Sequence, residues 1–116
     1  MKFKLIMVMV QDEQTDDIIE AARSSGATGC TVVTNARGEG LEPTPTFFGL
    51  SLTGQRDLVL LLVEEHLSRS ILETIDRIGH FDDEHGTGVA LQLDIEDAVG
   101  LRSQIPKIKD AIEDEL

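Results

Sequence analysis

Two short apolar runs, residues 3–10 and 58–63, each lead almost directly into a stretch with helical spacing. That pairing constrains the fold more than any other feature. The first run is mostly apolar and is expected as a strand buried on both faces or nearly so. After a polar connection, Thr15 with Asp16 and Asp17 suits a helix start, with a hydroxyl cap followed by carboxylates at the positive end of the dipole. Ile18, Ile19 and Ala22 share one face of that helix, and Gly26 suits its stop. The second run is continuous and short enough for a central strand. Leu67, Ile71, Ile75 and Ile78 then form one stripe on a helix expected over residues 64–78, with Gly79 ending it.

Two more strands complete the pattern. Residues 28–34 are rich in β-branched side chains. Residues 89–95 alternate, with Val89, Leu91, Leu93 and Ile95 on one face, which predicts a half-buried strand. The order is β-α-β-β-α-β in one α+β domain spanning residues 1–116, followed by a C-terminal extension over residues 103–116 with a weak helical stripe of Ile105, Ile108 and Ile112. This is the ferredoxin-like arrangement, a four-stranded antiparallel sheet with two helices on one face. If the other face is apolar it needs a partner, so an oligomer is expected.

Residues 35–54 break all periodicity and are expected as one long loop. At about 20 residues it far exceeds the usual connection, which points to a functional arm. It carries Gly38, Gly40, Pro43 and Pro45, and its adjacent Phe47 and Phe48 would want a surface to bury against. Pro43, Pro45, Phe47 and Phe48 are therefore the candidate partner contacts.

Charge narrows the function. Asp and Glu number 22 against 10 Lys and Arg, a formal net charge of -12. That balance argues against nucleic acid, which requires a basic footprint, and against an anionic membrane surface. No apolar run reaches the length of a membrane span, so no direct membrane insertion is expected. The first residues lack a small-residue cleavage site, and the one cysteine, Cys30, cannot staple the fold internally. A cytoplasmic location is the simplest expectation.

A second polar loop carries His80, Asp82, Asp83, Glu84 and His85, then Gly86-Thr87-Gly88. The imidazoles and carboxylates, chiefly His80, Asp82 and His85, offer donors for a divalent metal, although their spacing matches no metal signature. The glycines let backbone N–H groups face a phosphate. Cys30 falls in an expected strand as an inert thiol, and His66 on the second helix is expected to be solvated. No nucleophile–base spacing or Walker-type loop is present, so the chain is expected to be a regulator or binding protein and not an enzyme.

Several segments resemble the PII signal-transduction proteins of nitrogen regulation. Residues 26–34 with Arg37-Gly38-Glu39-Gly40 are similar to that family's second strand and T-loop entry. Gly86-Thr87-Gly88-Val89-Ala90 sits where its phosphate-binding B-loop would be, and residues 94–102 resemble the segment after its fourth strand. The resemblance implies a homotrimer with adenine nucleotides (ADP, AMP or ATP) in clefts between subunits. It also implies a long loop that reports ligand state to a membrane transporter or metabolic enzyme. By position, Thr31 would lie beside the base and Gly38 and Gly40 on the loop's phosphate side. Gly86, Thr87 and Gly88 would fall in the phosphate loop, where the two glycines would offer backbone donors. Arg102 would match the second of two phosphate-facing arginines. The chain departs from the family at Gly100, in place of the first arginine, and at Val89, in place of the B-loop lysine. It also lacks the 2-oxoglutarate lysine near Asp57. A less charged adenylate such as AMP or ADP, another small ligand, or no nucleotide at all is the expectation that follows. A metal-binding trimer resembling the divalent-cation-tolerance proteins and a ligand-free interaction module are the alternative readings.

Overall fold

The computed structural model describes residues 1–36, 46–47, 50–51, 55–84, 86–107 and 109. Strand β1 spans Phe3–Gln11, and a 3-10 turn at Asp12–Gln14 leads into helix α1, Thr15–Ser24. Strand β2 is Thr31–Ala36, and the two-residue strands β3 (Thr46–Phe47) and β4 (Leu50–Ser51) pair with each other. Strand β5 is Arg56–Glu64, helix α2 is Glu65–Gly79 and strand β6 is Gly88–Asp94. The main sheet has the order β2-β5-β1-β6 and every pairing in it is antiparallel. This is the expected α+β fold.

The registers divide the sheet into two faces. Ile6 pairs with Leu61 and Val8 with Val59, and these four side chains are fully or almost fully buried. They pack against Ile18 and Ala22 of α1 and Leu67, Ile71 and Ile75 of α2 in one core. The opposite face carries Leu5, Met7 and Met9, which pair with Leu62, Leu60 and Leu58 on one side and with Leu93, Leu91 and Val89 on the other. β1 is therefore not closed on both faces, because its residues alternate between buried and half-buried. The apolar alternation of β6 turns away from the helices. Val89, Leu91 and Leu93 are 41–51% exposed, and Ala90 is the residue packed against the core.

Several local expectations change. Thr15 does not cap α1. The cap position is Gln14, which makes no side-chain cap, and Thr15 is the first helical residue. Its hydroxyl instead donates to Asp57 Oδ2 at 2.7 Å, joining α1 to β5 inside the fold. Gly79 is the last residue of α2, and the left-handed position after it is His80, with φ 55°. A Cβ on Gly79 would strike the Phe81 ring, so close packing explains that glycine. The stripe on α2 is buried through Ile75, while Ile78 in the last turn is exposed. β2 begins at Thr31 and not at Thr28, and its ladder shifts between Val33 and Ala36, where Asn35 takes φ 62°. β5 begins two residues before Leu58, at Arg56, and β6 ends at Asp94, one residue before Ile95. The long loop carries the β3–β4 ladder, which its lack of periodicity did not announce. Ile105 lies in a short helical turn, and Ile108 and Ile112 lie outside the described residues.

Candidate functional site

The Gly86–Gly88 turn stands at one end of the sheet, where Val10 pairs with Gly88 and Gln11 with Arg56. Each residue of the turn has its own local cause. Gly86 has φ 74°, the left-handed region that glycine enters freely, and open space lies where a Cβ would be. Gly88 permits close packing, since a Cβ there would come within 2.5 Å of the Met9 carbonyl oxygen and 2.7 Å of the Phe81 ring. Thr87 turns its hydroxyl inward, 3.1 Å from the His80 carbonyl and 3.2 Å from that of Glu84. One hydroxyl proton serves these two acceptors, so the buried Thr87 side chain braces the turn from within. The Gly86 carbonyl accepts from Arg56 Nη2 at 3.0 Å and lies 3.4 Å from Gln11 Nε2. Neither Arg56 nor Gln11 was visible as a site residue in the sequence, because only the strand register brings them to the turn.

Arg102 lies at the opposite end, in a turn after β6. Its cleft of about 810 Å³ is also lined by Lys2, Lys4, Asp94 and Gly100. Lys4 pairs with Asp94 there, and this hydrogen bond and charge hold the Asp94 carboxyl below its ordinary range. Gly100 has φ 92°, so its backbone suits glycine where the family's arginine would stand. From Val10 to Lys4 the strand advances six residues, or about 20 Å, and these residues pair with Gly88 and Asp94. One chain therefore keeps Arg102 apart from the Gly86–Gly88 turn. Thr31 sits on the sheet edge formed by β2, away from β6, and shares a cleft of about 400 Å³ with Cys30, Leu62 and Gln104. Gly38, Gly40, Pro43, Pro45 and Phe48 lie outside the described residues, and Phe47 is described only as a backbone position in β3.

The proposed metal donors do not converge among the described residues. His80 Nδ1 is 3.8 Å from Asp83 Oδ2, while Asp82 is engaged with Asp76. The hydrogen bond and charge of Asp76 push the Asp82 carboxyl above its ordinary range. His85 lies outside the described residues. A different trio, Glu64, Glu65 and His66, places ligand atoms within 4.8 Å of one another. Its geometry is that of a helix cap. The buried Glu64 carboxylate accepts from the His66 backbone N–H at 2.8 Å and lies 2.5 Å from Nδ1 of the His66 ring. That contact holds the imidazole pKa above its usual value. His66 is exposed, as expected, but it is not a bystander.

Comparison with known proteins bears on the turn and the sheet together. The sequence profile of the family described as nitrogen regulatory protein P-II matches residues 3–104. The chain belongs to the PII family. Solved PII-like structures share its fold. A structure of CPII from Thiomonas intermedia K12 bound to ADP, AMP and acetate aligns with a TM-score of 0.64 at 19% identity, covering 83% of this chain and 88% of that one. The same protein bound to ADP and bicarbonate aligns with a TM-score of 0.64 at 20% identity, covering 82% of this chain and 87% of that one. A putative PII-like signaling protein from Thermus thermophilus aligns with a TM-score of 0.59 at 22% identity, covering 82% of this chain and 91% of that one. No curated protein matches this PII chain. Among the described residues, no helix of the PII fold is long and apolar enough to cross a membrane.

Proposed function

We propose that this PII-family protein is a cytoplasmic homotrimeric regulator that binds an adenine nucleotide between subunits. In this reading it relays that state through residues 35–54 to a transporter or metabolic enzyme. It acts by binding, without turning its ligand over. The observation that carries the proposal is the separation of Arg102 from the Gly86–Gly88 turn along the sheet. A pocket that uses both draws them from two copies, and the apolar helix-free face supplies a reason for copies to associate. ADP and AMP in the CPII structures support an adenylate as ligand. The acidity of the chain, with -12 formal charges per copy, favours ADP or AMP over ATP.

Native mass spectrometry combined with calorimetry tests the reading. The expected result is a trimer that takes up one ADP or AMP per subunit cleft, with Arg102→Ala weakening uptake and leaving the trimer intact. A monomer, or a trimer silent to ADP, AMP and ATP at millimolar concentration, would overturn it. Deleting residues 41–49 should remove partner binding and leave nucleotide uptake unchanged.

A further inference from the structure

We propose that Arg56, assisted by Gln11, is a positioning residue that aims the Thr87 backbone N–H at a phosphate group. The inference deepens the nucleotide reading above and rests on it. A trans peptide is planar, so its C=O and N–H point in opposite directions. The Gly86 carbonyl and the Thr87 N–H belong to one such unit. Arg56 Nη2 at 3.0 Å and Gln11 Nε2 at 3.4 Å both approach that carbonyl from the strand ends. The Thr87 N–H is therefore directed away from them. The Thr87 hydroxyl, set against the His80 and Glu84 carbonyls, fixes the other flank of the same peptide.

The choice of orientation matters because the alternative is hostile to an anion. Turning the peptide over would present the Gly86 carbonyl oxygen where the amide now stands, replacing a donor with a negative dipole end. Glycine at 86, with φ 74° and open space at the Cβ position, resists such a turn weakly, so the orientation must be held by partners. A guanidinium is suited to hold it, since a charged donor binds a carbonyl more strongly than a neutral one. The residue that follows the turn, Val89, offers no cation to a phosphate. Oriented backbone amides consequently bear more of the phosphate recognition at this turn, and Arg56 acts through them.

Calorimetry with ADP and with adenosine separates this role from general structure. Arg56→Met should weaken ADP binding by about tenfold, the scale of one charge-assisted hydrogen bond, and leave adenosine binding unchanged. Arg56→Lys keeps a cationic donor and should stay within about threefold of the wild type, less than half a decade on the same scale. In the ligand-free protein, Arg56→Met should move the Thr87 amide resonance, and Gln11→Leu should move it less. Equal losses for ADP and adenosine, or full ADP affinity in Arg56→Met with an unmoved Thr87 resonance, would overturn the positioning role. Absence of ADP binding by the wild-type protein would instead overturn the nucleotide reading on which it rests.

Discussion

The Thr15 hydroxyl donates to Asp57 Oδ2 at 2.7 Å, joining the first turn of α1 to β5 within the core. Both residues are buried, Thr15 at 5% and Asp57 at 8% exposure. A buried carboxylate needs donors, because desolvation without them is unfavourable. Thr15→Val keeps the shape and removes the donor. The expected loss is about 1.5–3 kcal/mol, the range for a hydrogen bond to a charged group. Thr15→Ser keeps the hydroxyl and should lose less. Urea unfolding midpoints at constant slope measure both. Replacing both partners, as Thr15→Val with Asp57→Val, should recover part of the loss, since no orphaned carboxylate remains.

The cap of α2 makes stability depend on pH. Glu64 holds His66 by its backbone N–H and by its ring, and raises the imidazole pKa. A group whose folded pKa lies above its unfolded value stabilises fully below the unfolded value. That contribution disappears as pH rises through the folded pKa. The stability difference between the wild type and His66→Ala should therefore be largest at about pH 5 and smallest at about pH 9, either side of the usual imidazole range. A difference that grows with pH would contradict the cap geometry. An NMR titration of the His66 ring gives the same test directly, and Glu64→Gln should bring its pKa back down.

The Asp76–Asp82 pair shifts a carboxyl in the same direction, upward, against the usual direction for a paired acid. Asp76 raises the Asp82 carboxyl pKa by hydrogen bonding and by charge. Relative to the unfolded chain, the folded protein thus favours protonated Asp82, and the ionised form works against the fold at the C-terminal end of α2. Asp82→Asn should raise the melting temperature at neutral pH. The gain should vanish as pH falls below the ordinary carboxylate range, where both forms are neutral.

How much of this was legible in sequence follows from the range of each interaction. Helix stripes and apolar runs report burial along the chain, so Ile71, Ile75, Val59 and Leu61 were placed in the core correctly. The side taken by the apolar face of β6 is not legible, because alternation shows that one face is apolar without showing which side the helices occupy. Val89, Leu91 and Leu93 faced the helix-free side, and only the register with β1 decides that. Thr15 looked like a cap because local chemistry favours one, but a buried carboxylate 42 residues away claimed its hydroxyl. At the candidate site, Gly86 and Gly88 were visible as glycines in a turn. Arg56 and Gln11 were not, since neither is near residue 86 in sequence.

The helix-free face gives the last prediction. Leu5, Met7 and Met9 in β1 run between Leu58, Leu60 and Leu62 of β5 and the exposed Val89, Leu91 and Leu93 of β6. In the proposed assembly this contiguous apolar surface is the contact between subunits. A carboxylate on it would have to be buried without a partner in any assembly that covers the face, at a penalty of several kcal/mol. Leu91 is the position to test, because it is 51% exposed in the single chain and its side chain lies outside the helix-packed core. Leu91→Asp should leave the monomer fold intact, with a helical and sheet spectrum like that of the wild type, and shift the native mass from trimer to monomer. On the proposed inter-subunit site, ADP uptake should fall with it, because the Gly86–Gly88 turn would then have no neighbouring Arg102. A Leu91→Asp protein that stays trimeric would place the subunit contact elsewhere on the fold.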